Sequence, residues 1–310
     1  MKKVSVLIPT YNEEDNVIPL SEKIIEQFQT ALSDYDYELI FIDNNSSDST
    51  RERVRDLCAS NKHIKAIFNA RNFGQFNSPY YGILQATGDC VIGMSADFQD
   101  PVELIPQFVK EWESGHKIVL GQKTSSKEGR IVYRLRSFYY RVMKKNSDAE
   151  FIEHVTGFGL YDREFVEVMK NLDDSKPFIR GIIAEIGYGI KLIPYEQQMR
   201  KSGKSSNNLF GYYDAAVQGL TSYTKIGVRL AVAFGVFFTL ASIASGIGFG
   251  IYKLLNWNTF DLWPLALNLI IFFVVSLQLL FIGVVGEYVL SINSRMKKRP
   301  LVIESERINF

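Results

Sequence analysis

Two long apolar stretches near the C-terminus constrain the fold of this chain most strongly. Residues 231–252 and 262–286 contain no Asp, Glu, Lys or Arg. About 20 apolar residues are enough for a helix to cross the roughly 30 Å hydrocarbon core of a bilayer. Two buried helices of a water-soluble protein are the alternative, but uncharged runs of this length are rare in such proteins. The sequence therefore predicts a hairpin of two transmembrane helices within residues 229–290.

The charges around the two stretches predict their orientation. The connection at 256–261 contains no Lys or Arg, whereas basic residues flank the hairpin on its outer sides: Lys225, Arg229, Arg295, Lys297, Lys298 and Arg299. Cytoplasmic flanks of membrane helices carry the excess of Lys and Arg. We therefore expect a multi-pass protein of the plasma (inner) membrane whose N-terminal domain, C-terminal tail (291–310) and termini are cytoplasmic. We expect no nucleic-acid partner.

The first 206 residues alternate between strand and helix patterns and form the predicted cytosolic domain. Helical spacing of apolar residues covers 15–32, and short apolar runs predict strands at 4–9, 37–43, 64–68, 90–94 and 118–121. Strands that alternate with helices indicate an α/β domain with a mostly parallel sheet. Ligands of such sheets bind outside the carboxyl ends of the strands.

Polar clusters follow three of these strands, at 10–15, 43–48 and 95–100, which predicts a nucleotide site at that edge of the sheet. In the last cluster Asp97 and Gln99 are two positions apart, so continued strand geometry would point both side chains the same way. A carboxylate and an amide oxygen suit a hard divalent cation that also binds phosphates. The alternative is a solvated loop with a helix N-cap at Asp100.

Two segments between the α/β domain and the apolar stretches predict helices at the membrane surface. Residues 130–145 carry six basic residues and no acid among apolar ones, and cations there would meet anionic headgroups. The residues assigned to this contact are Arg130, Arg134, Arg136 and Arg141. An ordinary surface helix is the alternative. Residues 207–228 predict a second, juxtamembrane amphipathic helix.

Several motifs, in the right order and covering nearly the whole chain, resemble family 2 glycosyltransferases. They are Pro9-Thr10-Tyr11-Asn12-Glu13, Asp43-Asn44-Asn45-Ser46-Ser47-Asp48, Asn69-Ala70-Arg71-Asn72-Phe73-Gly74 and Ala96-Asp97-Phe98-Gln99-Asp100-Pro101. The C-terminal Gly283-Val284-Val285-Gly286-Glu287-Tyr288 with Lys298-Arg299-Pro300 resembles the polyprenyl-phosphate branch, which includes dolichol-phosphate mannose synthases and bacterial undecaprenyl-phosphate glucosyltransferases. The resemblance implies a GT-A-like domain that binds a nucleotide-diphosphate sugar.

The resemblance also implies roles for matching positions. Asp97 and Gln99 would hold Mg²⁺ or Mn²⁺ on the diphosphate, and Asp97 would be one of the catalytic residues. The nucleotide would contact Pro9, Tyr11, Glu13, Asp43, Ser95, Ala96 and Lys123. Arg200, Lys201 and Lys204 would contact phosphate, with Arg200 and Lys204 serving catalysis and Lys201 the lipid phosphate. A basic Gly/Ser-rich loop just before the membrane suits that task, although a basic linker has the same composition.

Three positions depart from the family pattern. Ser95 replaces the first acid of the metal motif, and Lys123 replaces an arginine and cannot make a planar bidentate contact. Gly157 stands where the glucosyltransferase branch has its presumed base. A lipid monophosphate is largely dianionic at pH 7, so it needs positioning more than proton removal. Glu153, His154 and Asp162 are alternative bases, and Asp162 also has the pattern of a helix N-cap.

Together with the resemblance, the sequence predicts an inverting, metal-dependent enzyme that transfers one sugar from a UDP-sugar to a polyprenyl phosphate at the bilayer. Self-association is expected from the resemblance and is compatible with the GxxxG spacing of Gly246 and Gly250. Transfer to another lipid acceptor is the first alternative. A processive synthase is disfavoured because no QxxRW sequence occurs. A catalytically weakened nucleotide-sugar-binding membrane scaffold is the alternative that the three departures favour.

Overall fold

The computed structural model describes residues 1–125, 155–172, 174, 177–198, 226–255, 263–296 and 299–310. The predicted surface helix at 130–145, with Arg130, Arg134, Arg136 and Arg141, lies outside the described residues. The same holds for Arg200, Lys201 and Lys204 and for nearly all of the predicted juxtamembrane helix.

The described strands form one mixed sheet. They are β1 (Lys3–Thr10), β2 (Asp36–Asp43), β3 (Ile64–Asn69), β4 (Cys90–Gly93), β5 (Ile118–Ser125), β6 (Val155–Asp162), β7 (Ile190–Glu196) and β8 (Glu304–Ile308). Their order across the sheet is β7-β5-β6-β4-β1-β2-β3-β8. Strands β6 and β8 run against their neighbours, and the other strands run in one direction. The predicted α/β fold with a mostly parallel sheet is confirmed.

Helices cover both faces of this sheet. They are α1 (Val17–Gln29), α2 (Thr50–Ser60), α3 (Gly74–Gln85), α4 (Ile105–Glu113), α5 (Arg163–Asn171) and α6 (Ile179–Ile186). Alternate residues of β1 enter opposite cores: Val6 and Ile8 pack with α1, α2 and α4, whereas Leu7 packs with α3, α5 and α6. Side chains of a strand alternate between faces, so a strand buried on both sides reads as a continuous apolar run.

Two further long helices follow, α7 (Ile226–Leu255) and α8 (Trp263–Met296). They contact each other, for example through the rings of Phe234 and Phe281, whose centroids are 6.4 Å apart. Many of their large apolar side chains are exposed, which is typical of surfaces that meet a membrane or a partner. Among the described residues one segment, Phe273–Asn293, has the length and hydropathy (mean 2.0) of a membrane span. The second span, and with it the hairpin, stays a prediction.

The C-terminal tail returns to the α/β domain. Strand β8 pairs antiparallel with β3, with Phe68 opposite Glu306 and Ala66 opposite Ile308. The tail was expected only as a cytosolic extension. The structure instead makes it the edge strand of the sheet, next to a strand that ends at the predicted nucleotide site.

Candidate active site

The loops after β1, β2 and β4 lie together at the carboxyl edge of the sheet. Thr10 is opposite Asp43 at the ends of β1 and β2, and Leu7 is opposite Gly93 at the end of β4. Each loop contains one non-glycine residue with left-handed backbone: Asn12 (φ 57°), Asn45 (φ 67°) and Phe98 (φ 61°). Asparagine tolerates this conformation, but a bulky residue such as phenylalanine rarely adopts it. Backbone strain of this kind is concentrated at functional sites.

Hydrogen bonds join the loops after β1 and β2. The Asn12 N–H donates to Ser46 Oγ at 2.9 Å, and the Ser47 N–H donates to Asn12 Oδ1 at 2.8 Å. Pro9 is half-buried at the end of β1, and the Tyr11 side chain is 40% exposed. Glu13 Oε2 accepts a hydrogen bond from Asn16 Nδ2 at 2.6 Å. Tyr11 therefore offers an exposed ring at the rim of the site, and the predicted nucleotide contacts of these three residues stay predictions.

The Asp43 carboxylate is fully buried and organises its own loop. It accepts hydrogen bonds from the Ser46 hydroxyl, from the Asn45 and Ser46 N–H groups at 3.1 Å each, and from Arg51 Nε at 2.6 Å. Three of these four bonds go to Oδ2 and one goes to Oδ1, and none of them tests a contact with a nucleobase. Its predicted role at the base edge is therefore still a prediction, while its role in shaping the loop is visible.

A polar network that the sequence did not reveal continues from Asp43 to the end of β3. Arg51 Nη2 donates to the Asn69 carbonyl at 2.5 Å. Asn44 Oδ1 accepts from Asn69 Nδ2 at 3.1 Å and from the Phe73 N–H at 2.8 Å. Its amide donates to Asn72 Oδ1 at 2.8 Å. The available signal was an asparagine directly after β2 and another at the end of the neighbouring strand β3.

The predicted metal motif forms a tight turn rather than a strand. Strand β4 ends at Gly93, and the left-handed Phe98 reverses the chain between Asp97 and Gln99. The expectation that strand geometry aligns these two side chains is therefore wrong. They are joined instead by a hydrogen bond from the Gln99 N–H to Asp97 Oδ1 at 3.1 Å, and the Asp97 side chain is buried.

The donor set of this turn fits a magnesium-type ion. Mg²⁺ is held by one or two carboxylate or amide oxygens and completes its shell with waters and substrate phosphates. Asp97 and Gln99 provide one of each. Gln99 Oε1 accepts a hydrogen bond from Gln197 Nε2 at 2.8 Å, which orients the amide oxygen. No group of three or more His, Cys, Asp or Glu suited to a metal occurs among the described residues, and this chemistry does not require one.

The turn is supported by Asp100, which lies beneath it. Asp100 accepts hydrogen bonds from the Ser95 N–H at 2.9 Å, the Ser95 hydroxyl at 2.6 Å and the Tyr195 hydroxyl at 3.1 Å. Burial raises the pKa of Asp100 above its usual value, against the lowering effect of these bonds and of the Lys123 charge. The alternative in which Asp100 caps a helix is wrong, because its side chain closes the turn. Ser95 is thus a hydrogen-bond donor to a carboxylate, and Ala96 is buried beside it.

Asp162, one of the predicted alternative bases, lies away from the loops of the candidate site. This residue pairs with Cys90, at the start of β4, and so lies at the opposite edge of the sheet from Asp97. Its carboxylate accepts hydrogen bonds from Trp112 Nε1 at 2.7 Å, the Glu164 N–H at 2.9 Å and Lys117 Nζ at 3.1 Å. The predicted N-cap role, at the start of α5, is confirmed.

Gly157 lies on the active-site side of β6 and has a left-handed backbone (φ 107°). Its carbonyl would be 3.4 Å from a Cβ added at Gly93, so it flanks the strand that leads to the metal motif. A side chain at 157 would have space, with Ile179 3.9 Å away, but its backbone would be strained. The chain therefore adopts at this position a conformation that suits glycine and disfavours an acid.

The segment after β7 starts at the metal motif. In addition to the contact of Gln197, the Gln198 N–H lies 3.4 Å from the Gln99 carbonyl. Lys123, at the end of β5, pairs in register with Tyr195 and its charge acts on Asp100. Lys123 and the approach to the basic loop thus lie on the same side of the sheet as Asp97.

Comparison with known proteins defines the class. The sequence model of glycosyl transferase family 2 matches residues 5–187, and the chain belongs to this family. Among curated relatives, the bactoprenol glucosyl transferase of Shigella phage SfV is 32% identical over 307 residues, 98% of this chain and 99% of the relative. The putative glycosyltransferase CsbB of Bacillus subtilis (strain 168) is 31% identical over 297 residues, 96% of this chain and 89% of the relative.

Solved structures resemble the chain more distantly. The mannosyltransferase PcManGT of Pyrobaculum calidifontis, in complex with GDP-Man and Mn²⁺, gives a TM-score of 0.47 at 19% identity, covering 71% of this chain and 62% of that one. Glucosyl-3-phosphoglycerate synthase of Mycobacterium tuberculosis, with Mn²⁺ and UDP-glucose, gives 0.48 at 18% identity, covering 71% and 77%.

Proposed function

We propose that this glycosyltransferase moves a single sugar from a UDP-sugar to the phosphate of a polyprenyl carrier such as undecaprenyl phosphate. The observation that carries the proposal is the length of the likeness to bactoprenol glucosyl transferases, which extends over 98% of this chain and includes both long C-terminal helices. A likeness limited to the sugar-nucleotide domain would leave the acceptor open. Transfer to another lipid is the alternative acceptor.

We assign the two C-terminal helices to the plasma membrane as a hairpin, with the catalytic domain and both termini in the cytoplasm. The uncharged stretches 231–252 and 262–286, the basic outer flanks and the exposed apolar side chains of α7 and α8 support this topology. A water-soluble donor and a lipid acceptor then meet at one surface. Self-association through the helices belongs to the same proposal.

The donor diphosphate is assigned to the turn of Asp97 and Gln99, which would hold Mg²⁺ or Mn²⁺. A cation bound there would neutralise the charge of the leaving nucleoside diphosphate. The nucleoside would lie against the loops after β1 and β2, where Pro9, Tyr11 and Glu13 surround the position assigned to base and ribose. Ser95, Ala96 and Lys123 complete the assigned donor contacts.

The acceptor phosphate acts as the nucleophile in this mechanism. One of its oxygens forms a bond to the anomeric carbon while the bond from that carbon to the donor diphosphate breaks, which inverts the configuration. A largely dianionic phosphate needs no proton removed at pH 7, so Gly157 in the base position is compatible with turnover. Orientation and screening of charge are then the main contributions of the protein.

The basic loop is assigned to the phosphates because of where it begins. Arg200 is two residues beyond Gln198, so chain connectivity keeps its Cα within about 8 Å of the Cα of Gln198, whose N–H faces the Gln99 carbonyl. Arg200 and Lys204 are assigned to the reacting phosphates. Lys201 and the basic residues Arg130, Arg134, Arg136 and Arg141 are assigned to the lipid phosphate and headgroups.

The test uses membranes that contain the full chain. They are incubated with undecaprenyl phosphate, Mg²⁺ and one labelled donor at a time: UDP-glucose, UDP-galactose, UDP-N-acetylhexosamines or GDP-mannose. The proposal expects a glycolipid whose mass is that of the carrier plus one sugar, formed from a UDP-sugar. Absence of product with every donor would refute it. UDP binding without turnover would support the scaffold alternative, which Gly157 and Ser95 favour.

A further inference from the structure

The strand that follows the membrane-proximal helix α8 is connected to the predicted donor site by direct contacts. Only residues 297–303 separate Met296, the end of α8, from Glu304, the start of β8. Strand β8 adds to the free edge of β3, and β3 ends at Asn69, a member of the polar network beside Asp43. The membrane-anchoring part of the chain therefore returns to the sheet next to the donor loops.

The end of the tail is fixed in place by several contacts. Asn309 Nδ2 donates to the Cys58 and Ile64 carbonyls at 2.8 Å each, which joins the last turn of α2 to the start of β3. The Phe310 ring lies beneath Lys65 Nζ, 5.0 Å from its centroid. On the other side, Glu304 accepts a hydrogen bond from the Tyr81 hydroxyl of α3 at 2.8 Å. The tail thus connects α2, β3 and α3.

A second group of contacts reaches the loop after β3. The Ala70 N–H donates to the Ile303 carbonyl at 2.9 Å, and the Ser305 hydroxyl donates to the Phe68 carbonyl at 2.9 Å. The register shifts between Phe68 and Asn69, so the strand is irregular where the loop begins. If the tail were not docked, the Ala70 N–H would lose the Ile303 carbonyl as its partner, at the first residue of the loop that carries Asn72 and Gly74.

Side chains continue the connection to Asp43. Glu306 Oε2 accepts hydrogen bonds from Arg55 Nη2 at 2.7 Å and from Arg55 Nε at 3.1 Å. The guanidinium of Arg55 lies 4.7 Å from the centroid of the buried Phe68 ring, and that of Arg51 lies 5.4 Å from the same centroid. Both distances are in the range of cation–π attraction. Arg51 then contacts the Asp43 carboxylate and the Asn69 carbonyl.

We propose that Glu306 and Arg55 are positioning residues for the donor nucleotide: through Phe68 and Arg51 they hold Asp43 and the loop 69–74 in the geometry that binds the nucleoside. The inference rests on the proposed donor site. It means that the donor loops are ordered only while the tail that follows the membrane helix is docked on β3. Donor binding thereby depends on the part of the chain that anchors it.

The test compares the full chain in detergent with four variants. Glu306→Lys breaks the ion pair, and Arg55→Glu/Glu306→Lys restores it with the charges exchanged. Glu306→Gln removes the charge with little change in shape. Lys2→Glu is the matched control, because Lys2 Nζ and Glu113 Oε2 form an exposed ion pair of similar length, 2.8 Å, away from the donor loops.

Two measurements are made on each protein: the affinity for UDP in Mg²⁺, and amide hydrogen exchange of residues 70–74. Glu306→Lys is expected to weaken UDP binding about fivefold, within the range of measured couplings between neighbouring elements. It should also speed exchange in the loop and raise the KM for the donor, while kcat changes less than twofold. The double variant Arg55→Glu/Glu306→Lys should recover the UDP affinity, and Glu306→Gln should lose less affinity than Glu306→Lys. The control Lys2→Glu should bind UDP as tightly as the wild-type protein.

The outcomes separate this inference from the proposed function. Faster exchange in Glu306→Lys with unchanged UDP affinity would overturn the positioning role and leave β8 a structural strand. Unchanged exchange would overturn the coupling itself. If the wild-type protein binds no UDP, the proposed donor is refuted. The amide hydrogen exchange of residues 70–74 still decides whether the tail orders the loop.

Discussion

Buried carboxylates lie at both edges of the sheet, but their surroundings differ. At the amino edge Glu38 accepts hydrogen bonds from Ser5 Oγ at 2.6 Å and from the Thr87 N–H at 2.6 Å, and Lys65 Nζ is 2.7 Å from its Oε2. Burial opposes ionisation of Glu38, but the bonds from Lys65, Ser5 and Thr87 outweigh it and lower its pKa to about 2. At the carboxyl edge burial prevails at Asp100 and raises its pKa.

The backbone shows a narrower difference. The loops at the carboxyl edge contain Asn12, Asn45 and Phe98 in the left-handed region, whereas the amino edge contains Gly187, before β7, and Asn309, after β8. Glycine adopts that conformation without strain. A buried acid therefore does not by itself mark a functional site. The left-handed Phe98, a bulky residue in a conformation that such residues rarely adopt, distinguishes the carboxyl edge.

The largest expected effect tests Asp97 against Asp162. We expect Asp97→Asn to lower glycolipid formation about a thousandfold, because the variant loses the carboxylate that we assign to the diphosphate-bound cation. Asp162→Asn keeps a capping side chain on α5 and should change the rate less than twofold. Rates are measured with labelled donor and undecaprenyl phosphate. Circular dichroism confirms that both variants are folded, and equal losses of activity would remove the distinction between the two edges.

The next effect concerns stability at the amino edge. Glu38→Gln should destabilise the protein by about 3 kcal/mol at pH 7, the free energy that corresponds to a pKa lowered from 4.5 to about 2. A lowered pKa contributes stability above pH 4.5, and that contribution is lost as the pH falls towards 2. The difference between the two proteins in denaturant unfolding should therefore shrink below pH 4.5. A pH-independent difference would contradict the assignment, and kcat of the folded variant should be unchanged.

The sequence predicted an element well where neighbouring residues determine its structure, and poorly where contacts with distant parts of the chain determine it. Strands β1 to β4 were predicted nearly to the residue, because the central strands are buried on both faces and read as apolar runs. Strand β6 was missed since Gly157 and Gly159 weaken any strand pattern. Gly159 is required by close packing, as a Cβ there would be 2.3 Å from the Val119 carbonyl oxygen. Only the folded chain shows that requirement.

The candidate site shows the same limit. The motif around Asp97 was recognised from residue types, but its turn depends on the left-handed Phe98, a conformation that residue identity disfavours. Strand β8 was missed because a short polar segment such as Glu304–Ile308 becomes a strand only by pairing with β3, far away in the sequence. The sequence shows that Ser95 departs from the family pattern. Only the structure shows that Ser95 donates hydrogen bonds to Asp100.

A third prediction concerns Ser95. Ser95→Asp restores the acid of the family pattern but replaces a donor to Asp100 with a second carboxylate. Like charges at hydrogen-bond distance in a buried site repel, so we expect a loss of about 2 kcal/mol in stability at pH 7 that is partly recovered at pH 5. Ser95→Ala, which only removes the hydroxyl bond, should cost about 1 kcal/mol with little pH dependence. Thermal unfolding at both pH values separates the two variants, and equal behaviour would show that Asp100 is not ionised beside Ser95.

The smallest effect compares left-handed residues at the two edges. Gly187→Ala places a Cβ in the left-handed region at φ 78°, and Asn45→Ala, at φ 67°, replaces a residue that tolerates this region with one that does not. Each should cost about 1 kcal/mol in stability. Asn45 is exposed, and a Cβ at Gly187 would meet nothing within 4 Å, so the cost is that of the backbone in both cases.

Because Asn45 donates its N–H to Asp43 Oδ2 at 3.1 Å, relaxation of this loop should also raise the KM for the donor about twofold. Gly187→Ala should leave that KM unchanged, and Asn45→Gly should restore both stability and KM. If Gly187→Ala raised the donor KM equally, the strain at the carboxyl edge would serve the fold of the domain as a whole and not the donor loops.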